Sequence, residues 1–94
     1  MLSRNPLDIH PQKLDKEGTA QALRLAIIGE LDAINLYLQL ANAIEDEKIK
    51  HTLREIAKEE KIHVGELLEI LKQIDPEQAK ALEKGREEVK ELTR

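Results

Sequence analysis

The sequence predicts an all-α protein in which two long antiparallel helices form a hairpin, a short C-terminal helix follows, and two copies pair into a four-helix bundle. The apolar residues are almost entirely aliphatic, with fifteen Leu and ten Ile but only one aromatic residue, Tyr37. Charged residues make up 36% of the chain, and this mixture is typical of amphipathic helices. Because a chain of 94 residues that folds alone buries a smaller fraction of its surface than a larger domain does, we expect a partner chain.

The first helix is predicted from the spacing of its apolar residues. Residues 1–18 are expected to form an extended N-terminal arm, because Pro6 and Pro11 exclude regular helix. From Thr19, the expected N-cap, steps of four and three alternate as they do on one face of a helix. This face contains Leu23, Ile27, Glu30, Ile34, Tyr37, Ala41 and Ile44. The helical domain is therefore expected to cover residues 19–94.

Two further helices follow. An acidic triplet centred on Asp46 interrupts the pattern and indicates the turn of the hairpin. The alternation then resumes through Ile49, Leu53, Ile56, Glu60, His63, Leu67, Ile70 and Ile74. Asp75 followed by Pro76 is typical of an N-cap and a first helical turn, so a third helix is expected to run to about Leu92. Its thin apolar stripe, interrupted by Gly85, predicts only loose contact with the hairpin.

Composition excludes several classes of function. The chain has no cysteine, so disulfides and thiolate metal sites are excluded. A net charge of −4 without a dominant basic patch argues against nucleic acid as a partner. No apolar run approaches the roughly twenty residues that span a bilayer, and no signal-peptide pattern is present. We expect a cytoplasmic protein with neither nucleic acid nor membrane as its partner.

Three polar residues lie on the two apolar helix faces, which together we call the seam: Glu30, Glu60 and His63. A carboxylate buried there costs several kcal/mol unless it is neutralised, paired or bound to a metal. Glu30 precedes Asp46 by sixteen residues, and Glu60 and His63 follow it by fourteen and seventeen. At about 1.5 Å of rise per residue, an antiparallel hairpin brings all three within roughly one helical turn.

This constellation predicts a metal centre shared by two chains. Four-helix di-iron sites take a Glu from each of two helices and a Glu-x-x-His from each of the other two. Two hairpins that each contribute Glu30, Glu60 and His63 supply that set. Oxygen and nitrogen ligands without sulfur favour iron, while manganese, zinc or calcium could substitute or bind at secondary sites. Two adjacent ferrous ions can each give an electron to dioxygen, which predicts a ferroxidase.

The same residues resemble the encapsulated ferritins, the two-helix ferritin-like cargo proteins of encapsulin nanocompartments. The resemblance covers about residues 20–93 and rests on Glu-Leu-Asp-Ala-Ile-Asn-Leu-Tyr at 30–37 and Glu-Glu-Lys-Ile-His at 59–63. It implies a half-ferritin-like hairpin whose protomers pair around a di-iron centre and assemble into a ring of ten. It also implies an encapsulin shell protein as a partner, either fused or separate, and iron storage or detoxification inside that compartment.

The resemblance also implies roles for single residues. Glu30, Glu60 and His63 match the iron ligands, Tyr37 matches a tyrosine close to the centre, and Asp32 matches an acidic residue where metal enters. The chain departs from some family members at two positions: Gly29 stands where they have a second acid, and Leu36 stands where they have a Trp. No cargo-targeting peptide is recognisable at the C-terminus, which is expected of a domain fused to its shell.

Two other interpretations remain open. The chain could be a peroxide-consuming di-iron protein similar to rubrerythrin, although the rubredoxin cysteines that often accompany such proteins are absent. It could also be a metal-free helical assembly module, in which Glu30, Glu60 and His63 form a polar layer that fixes helix register. Tyr37 would then be a half-buried aromatic residue with a hydrogen-bonded hydroxyl, and Asp32 would be solvated.

Overall fold

A computed structural model describes residues 13–94, and this part of the chain forms three α-helices and no β-strand. Helix α1 spans Lys16–Ala43, α2 spans Glu47–Ile74 and α3 spans Pro76–Leu92. The predicted all-α class and the order of its helices are confirmed. Within the described range, no helix combines the length and apolar character needed to cross a membrane. Most of the expected N-terminal arm, residues 1–12, lies outside the described residues.

Helix α1 begins three residues before the predicted start. Its N-cap is Asp15, whose Oδ1 accepts a hydrogen bond of 2.7 Å from the backbone N–H of Gly18. The prediction that Thr19 caps the helix was wrong, because its hydroxyl donates to the Asp15 carbonyl within the first turn, at 2.7 Å. A β-carbon at Gly18 would lie only 3.0 Å from the capping oxygen. Glycine at this position therefore leaves room for the cap.

The hairpin turn matches the prediction. Only residues 44–46 separate α1 from α2, and such a short connection makes neighbouring helices antiparallel. The Asp46 carboxylate accepts hydrogen bonds from the backbone N–H groups of Lys48 at 2.9 Å and Ile49 at 3.1 Å. This cap satisfies donors at the start of α2 and places a negative charge at the positive end of its dipole.

The core lies between α1 and α2 and is built mainly from small residues. Its buried members are Ala20, Ile34, Ala41, Ala57 and Leu71. Larger aliphatic side chains remain exposed on both helices, namely Ile28, Leu31, Leu36, Leu40, Ile49, Ile62 and Ile70. Each helix of a hairpin has one long neighbour, so much of its apolar surface cannot be covered within one chain. This surface supports the expected pairing of two copies, which stays a prediction.

Helix α3 is attached to the hairpin at its first turn. Asp75 is both the C-cap of α2 and the N-cap of α3, and Pro76 is the first residue of α3, as predicted. No residue of α3 is buried, and its backbone lies close to α2 but not to α1. Leu82, Val89 and Leu92 are all exposed. The expectation that the thin apolar stripe of α3 packs only loosely is confirmed.

Candidate metal centre

Helices α1 and α2 bring Glu30, Glu60 and His63 together in the middle of the hairpin. Nδ1 of His63 lies 3.3 Å from Oε2 of Glu30, across the helix pair. The same nitrogen lies 3.5 Å from Oε2 of Glu60, three residues earlier on α2. The juxtaposition predicted from the register of the two helices is therefore present. We call these three residues the seam cluster.

Exposure differs across the seam cluster. The Glu60 side chain is 18% exposed and that of Glu30 is 28% exposed, whereas the His63 side chain is 45% exposed. The carboxylates therefore lie deeper in the hairpin than the imidazole does. A single hairpin encloses the cluster on one side and leaves it accessible on the other.

The spacing of the seam cluster fits a metal ion. One ligand atom from each residue lies within 4.8 Å of the other two. Ligand atoms about 2.1 Å from a metal are separated by at most about 4.2 Å, so small side-chain rotations would let all three reach one ion. Among residues 13–94, this is the one group of three or more His, Cys, Asp or Glu side chains that converges in this way.

Nδ1 of His63 is the ring nitrogen that faces both carboxylates. When this nitrogen carries a hydrogen, it donates to the Glu30 carboxylate. A metal ion bound by the same nitrogen would replace that hydrogen, because an imidazole binds metal through an unprotonated nitrogen. Glu30 therefore orients the ring when Nδ1 carries a hydrogen. When Nδ1 binds a metal ion, Glu30 could bind the same ion.

Tyr37 and Asp32 lie outside the seam cluster. Tyr37 is half-buried and follows Glu30 by seven residues, which places both on one face of α1. Asp32 is exposed, and its separation of two residues from Glu30 places it on another face of the helix. Leu36, one of the departures noted above, is 50% exposed. The roles of Tyr37 near the centre and of Asp32 in metal entry stay predictions.

A second polar cluster connects α1 to the start of α3, and the sequence pattern did not reveal it. We call its residues Arg24, Asp75 and Gln78 the α1–α3 joint. Nη2 of Arg24 lies 2.5 Å from Oδ2 of Asp75, and the guanidinium donates two bonds to Oε1 of Gln78, at 3.1 and 3.2 Å. Arg24 and Asp75 are 51 positions apart, so no local spacing signals this contact.

The joint also changes the acidity of Asp75. A hydrogen bond from the Gln78 backbone N–H and the interaction with Arg24 lower the pKa of the Asp75 carboxyl below its ordinary value, against an opposing contribution from desolvation. The carboxylate thus caps α3 and binds α1 at once. This cluster is an ion pair with satisfied partners rather than an open set of ligands.

The family model of Rubrerythrin matches residues 21–93, which include most of α1, all of α2 and α3, and every residue of the seam cluster. The chain belongs to the Rubrerythrin family. Members of the ferritin-like and rubrerythrin families include iron-handling oxidoreductases. The geometry of Glu30, Glu60 and His63, which could hold a metal ion, is compatible with the chemistry of these iron-handling members.

Two curated relatives of this Rubrerythrin-family chain are named for encapsulins. A ferritin-like–encapsulin shell fusion protein from Pyrococcus furiosus is 54% identical over 94 residues, covering 99% of the chain and 27% of the relative. The encapsulin nanocompartment cargo protein EncC from Myxococcus xanthus is 38% identical over 80 residues, covering 84% of the chain and 62% of the relative. The chain thus spans about a quarter of the first relative and under two thirds of the second.

A solved structure extends the comparison to three dimensions. The crystal structure of the encapsulated ferritin domain from Pyrococcus furiosus matches this Rubrerythrin-family chain with a TM-score of 0.86 and 53% sequence identity. The match covers 99% of this chain and 96% of that one. The resemblance to encapsulated ferritins that the two sequence motifs predicted is confirmed.

Proposed function

We propose that two copies of this chain pair across the seam to build a di-iron centre that oxidises Fe(II) to Fe(III) with dioxygen. The observation that carries this proposal is the convergence of Glu30, Glu60 and His63, whose ligand atoms lie within 4.8 Å of one another. One hairpin supplies two carboxylates and one imidazole. Two hairpins supply four and two, the set used in four-helix di-iron proteins.

Charge and exposure both support pairing at this face. The four carboxylates of two seam clusters would offset the four positive charges of two ferrous ions, so that neither charge is left unpaired inside the bundle. The His63 side chain, 45% exposed in the single hairpin, would be covered by the partner. The exposed aliphatic side chains of α1 and α2 supply apolar surface for the same interface.

Iron is the substrate of the proposed reaction. Each of two ferrous ions gives one electron to a dioxygen molecule, which takes up two protons and leaves as hydrogen peroxide, while two ferric ions remain. Glu30 and Glu60 would supply carboxylate ligands to the ions, and His63 would supply an imidazole ligand. Carboxylate oxygens attract the higher charge of the ferric product more strongly than that of the ferrous substrate, which favours oxidation.

The names of the relatives support a cellular setting for this activity. One relative is a ferritin-like–encapsulin shell fusion and the other is an encapsulin cargo protein. We propose that this chain likewise acts inside an encapsulin compartment in the cytoplasm, with the shell either fused or separate, for iron storage or detoxification. We also propose that the protomers assemble into a ring of ten, as the resemblance to the encapsulated ferritins implies.

Anaerobic titration with ferrous iron, followed by exposure to air, tests the ferroxidase. We expect saturation at two irons per dimer and rapid growth of ferric absorbance. The Glu30→Ala variant should lose both. Glu17→Ala, which removes an exposed acid from the first turn of the same helix, is the matched control and should behave as the parent does. Absence of stoichiometric iron would favour the metal-free assembly module.

The Rubrerythrin match favours one alternative, a peroxide-consuming di-iron protein. Both reactions could use the same seam cluster, but they differ in the oxidant. Mixing the ferrous-loaded protein with dioxygen and, separately, with hydrogen peroxide distinguishes them. We expect dioxygen to give the faster oxidation at equal concentration, whereas a large preference for peroxide would support the alternative.

The number of protomers in the assembly can be tested by measuring its mass. Native mass spectrometry of the iron-loaded protein should show an even number of protomers, with ten as the expected number. A monomer under conditions where iron is bound in the expected ratio would contradict a centre shared between chains. Repeating the measurement with a chelator shows whether the metal contributes to assembly.

A further inference from the structure

The direction in which α3 leaves the hairpin depends on very few bonds. A single residue, Asp75, separates α2 from α3, and Pro76 restricts its own φ to about −65°. The backbone angles of Asp75, φ −129° and ψ 86°, therefore set the angle between the two helices. Small rotations about these two bonds would swing the far end of α3, which is 17 residues long, through a wide arc.

Apolar packing within the chain does not hold α3 in this direction. The helix has no buried residue, and Leu82, Val89 and Leu92 are 39, 57 and 84% exposed. Its backbone lies close to α2 and not to α1. Helix α2 is also the helix to which α3 is covalently joined. A helix so poorly covered has little hydrophobic stabilisation of any one orientation.

The Arg24 guanidinium supplies a side-chain connection from α1 to α3. It binds the carboxylate of Asp75, at the start of α3, and the amide oxygen of Gln78, one turn further on. Because Arg24 contacts two points that are three residues apart, it restricts the rotation of α3 as well as the distance of α3 from α1. The planar, forked guanidinium can bind two acceptors at once, which a lysine ammonium on its flexible stem does far less well.

Other charged groups surround the joint without replacing this contact. Lys16, Glu17 and Glu77 line the open groove beside it. Within the described residues, the ion pairs link Asp75 to Arg24 alone. The Asp75 carboxylate is at the same time fixed by the backbone N–H of Gln78, at 3.0 Å. The acceptor is thus oriented before Arg24 reaches it.

We infer that Arg24 is a positioning residue that locks the direction of α3 relative to the hairpin through Asp75 and Gln78. None of the residues of this lock belongs to the seam cluster, so the lock can be tested separately from metal binding. Its loss would leave α1 and α2 paired while α3 samples a range of directions.

Distance measurements between spin labels test the lock. The chain contains no cysteine, so pairs of labels can be attached at introduced cysteines. Gln39 on α1 and Lys90 on α3 are both exposed and report the direction of α3, while Gln39 and the exposed Lys58 report the hairpin. Labelled protein, diluted with unlabelled protein and kept with a chelator, restricts the readout to distances within one chain.

The decisive variant is Arg24→Gln. We expect at least a twofold broader Gln39–Lys90 distance distribution and an unchanged Gln39–Lys58 distribution. Arg54→Gln is the matched control, because Arg54 of α2 also reaches α1, through a hydrogen bond of 3.4 Å to Asn42, but lies away from α3. This control should leave both distributions narrow.

Several outcomes would overturn the inference. An unchanged Gln39–Lys90 distribution in Arg24→Gln would mean that the backbone or the assembly fixes α3 without the lock. Equal broadening by Arg54→Gln, or broadening of both label pairs, would indicate general loosening. If Arg24→Gln does not fold, Arg24→Lys takes its place, since it keeps the charge but not the fork; a distribution as narrow as that of the parent would then refute the lock. Iron binding is measured separately, so failure of the ferroxidase proposal leaves this test intact.

Discussion

The seam cluster and the α1–α3 joint are built from similar chemistry, but charge is balanced in the joint and not in the seam cluster. Both join α1 to a later helix through carboxylates and nitrogen-bearing side chains, at separations of 2.5 to 3.5 Å. The joint pairs one carboxylate with one guanidinium, and an amide completes it. The seam cluster places two carboxylates beside one imidazole, so negative charge is in excess.

This difference separates a structural ion pair from a candidate metal site. Every charged group of the joint has its counterpart within the chain, and adding a cation there would compete with Arg24. In the seam cluster, a divalent cation would balance charges that the chain itself does not. Excess carboxylate at a convergent, partly buried position is therefore a more specific signal for metal than polarity alone.

The largest expected effect is on iron, and it concerns the seam cluster alone. Glu60→Gln keeps the shape of the side chain but removes a charged ligand, so we expect ferrous affinity and oxidation rate to fall by at least about 100-fold. Glu59→Gln, an exposed neighbour on the same helix, should change them less than twofold. Iron titration and stopped-flow absorbance measure both. Equal loss in the two variants would contradict a specific role for the seam.

The same change of carboxylate to amide should destabilise the metal-free protein when it is made in the α1–α3 joint, but not when it is made in the seam cluster. Glu60→Gln removes excess negative charge, so we expect an unchanged or higher melting temperature in the presence of a chelator. Asp75→Asn retains an N-cap residue but loses the pairing with Arg24, so we expect a melting temperature lower by a few degrees. Circular dichroism measures both. Destabilisation by Glu60→Gln as large as that by Asp75→Asn would show that the seam cluster is also a structural pair.

Acidification should affect the joint in a defined direction. Because folding lowers the pKa of Asp75 below its ordinary value of 3.8, the folded state releases this proton more readily than the unfolded state does. The resulting stability is present above pH 3.8 and is lost as the pH falls through the lowered pKa. The difference in melting temperature between the parent and Asp75→Asn should thus shrink below that pH. A difference that stays constant would exclude the ionised carboxylate as its source.

The smallest expected effect concerns α3 itself, outside both clusters. Gly85 lies in the middle of this helix, and a β-carbon there would meet nothing within 4 Å. Gly85→Ala should stabilise the protein by about 0.5–1 kcal/mol, through lower backbone freedom in the unfolded chain. Thermal unfolding measures this gain, and iron oxidation should not change. A lower melting temperature would indicate that a neighbouring chain occupies the space beside Gly85.

Local sequence predicted the helices and the seam cluster well. The alternation of three and four residues follows directly from 3.6 residues per turn. It therefore identified α1 and α2 and, on each helix, the apolar face that belongs to the seam. Asp75 and Pro76 predicted the start of α3 because capping is a local interaction. At α1 both Asp15 and Thr19 can serve as caps, and the spacing alone led to the wrong one.

The sequence by itself determined the three helices, the antiparallel hairpin and the common height of Glu30, Glu60 and His63, since helical rise and a short turn fix their register. Only the tertiary structure decided that Arg24 binds Asp75 and Gln78. Helical periodicity describes positions along and around one helix, whereas this contact depends on the angle between helices. That angle is set by the two backbone dihedrals of Asp75 and by side chains 51 positions apart, which no local pattern specifies.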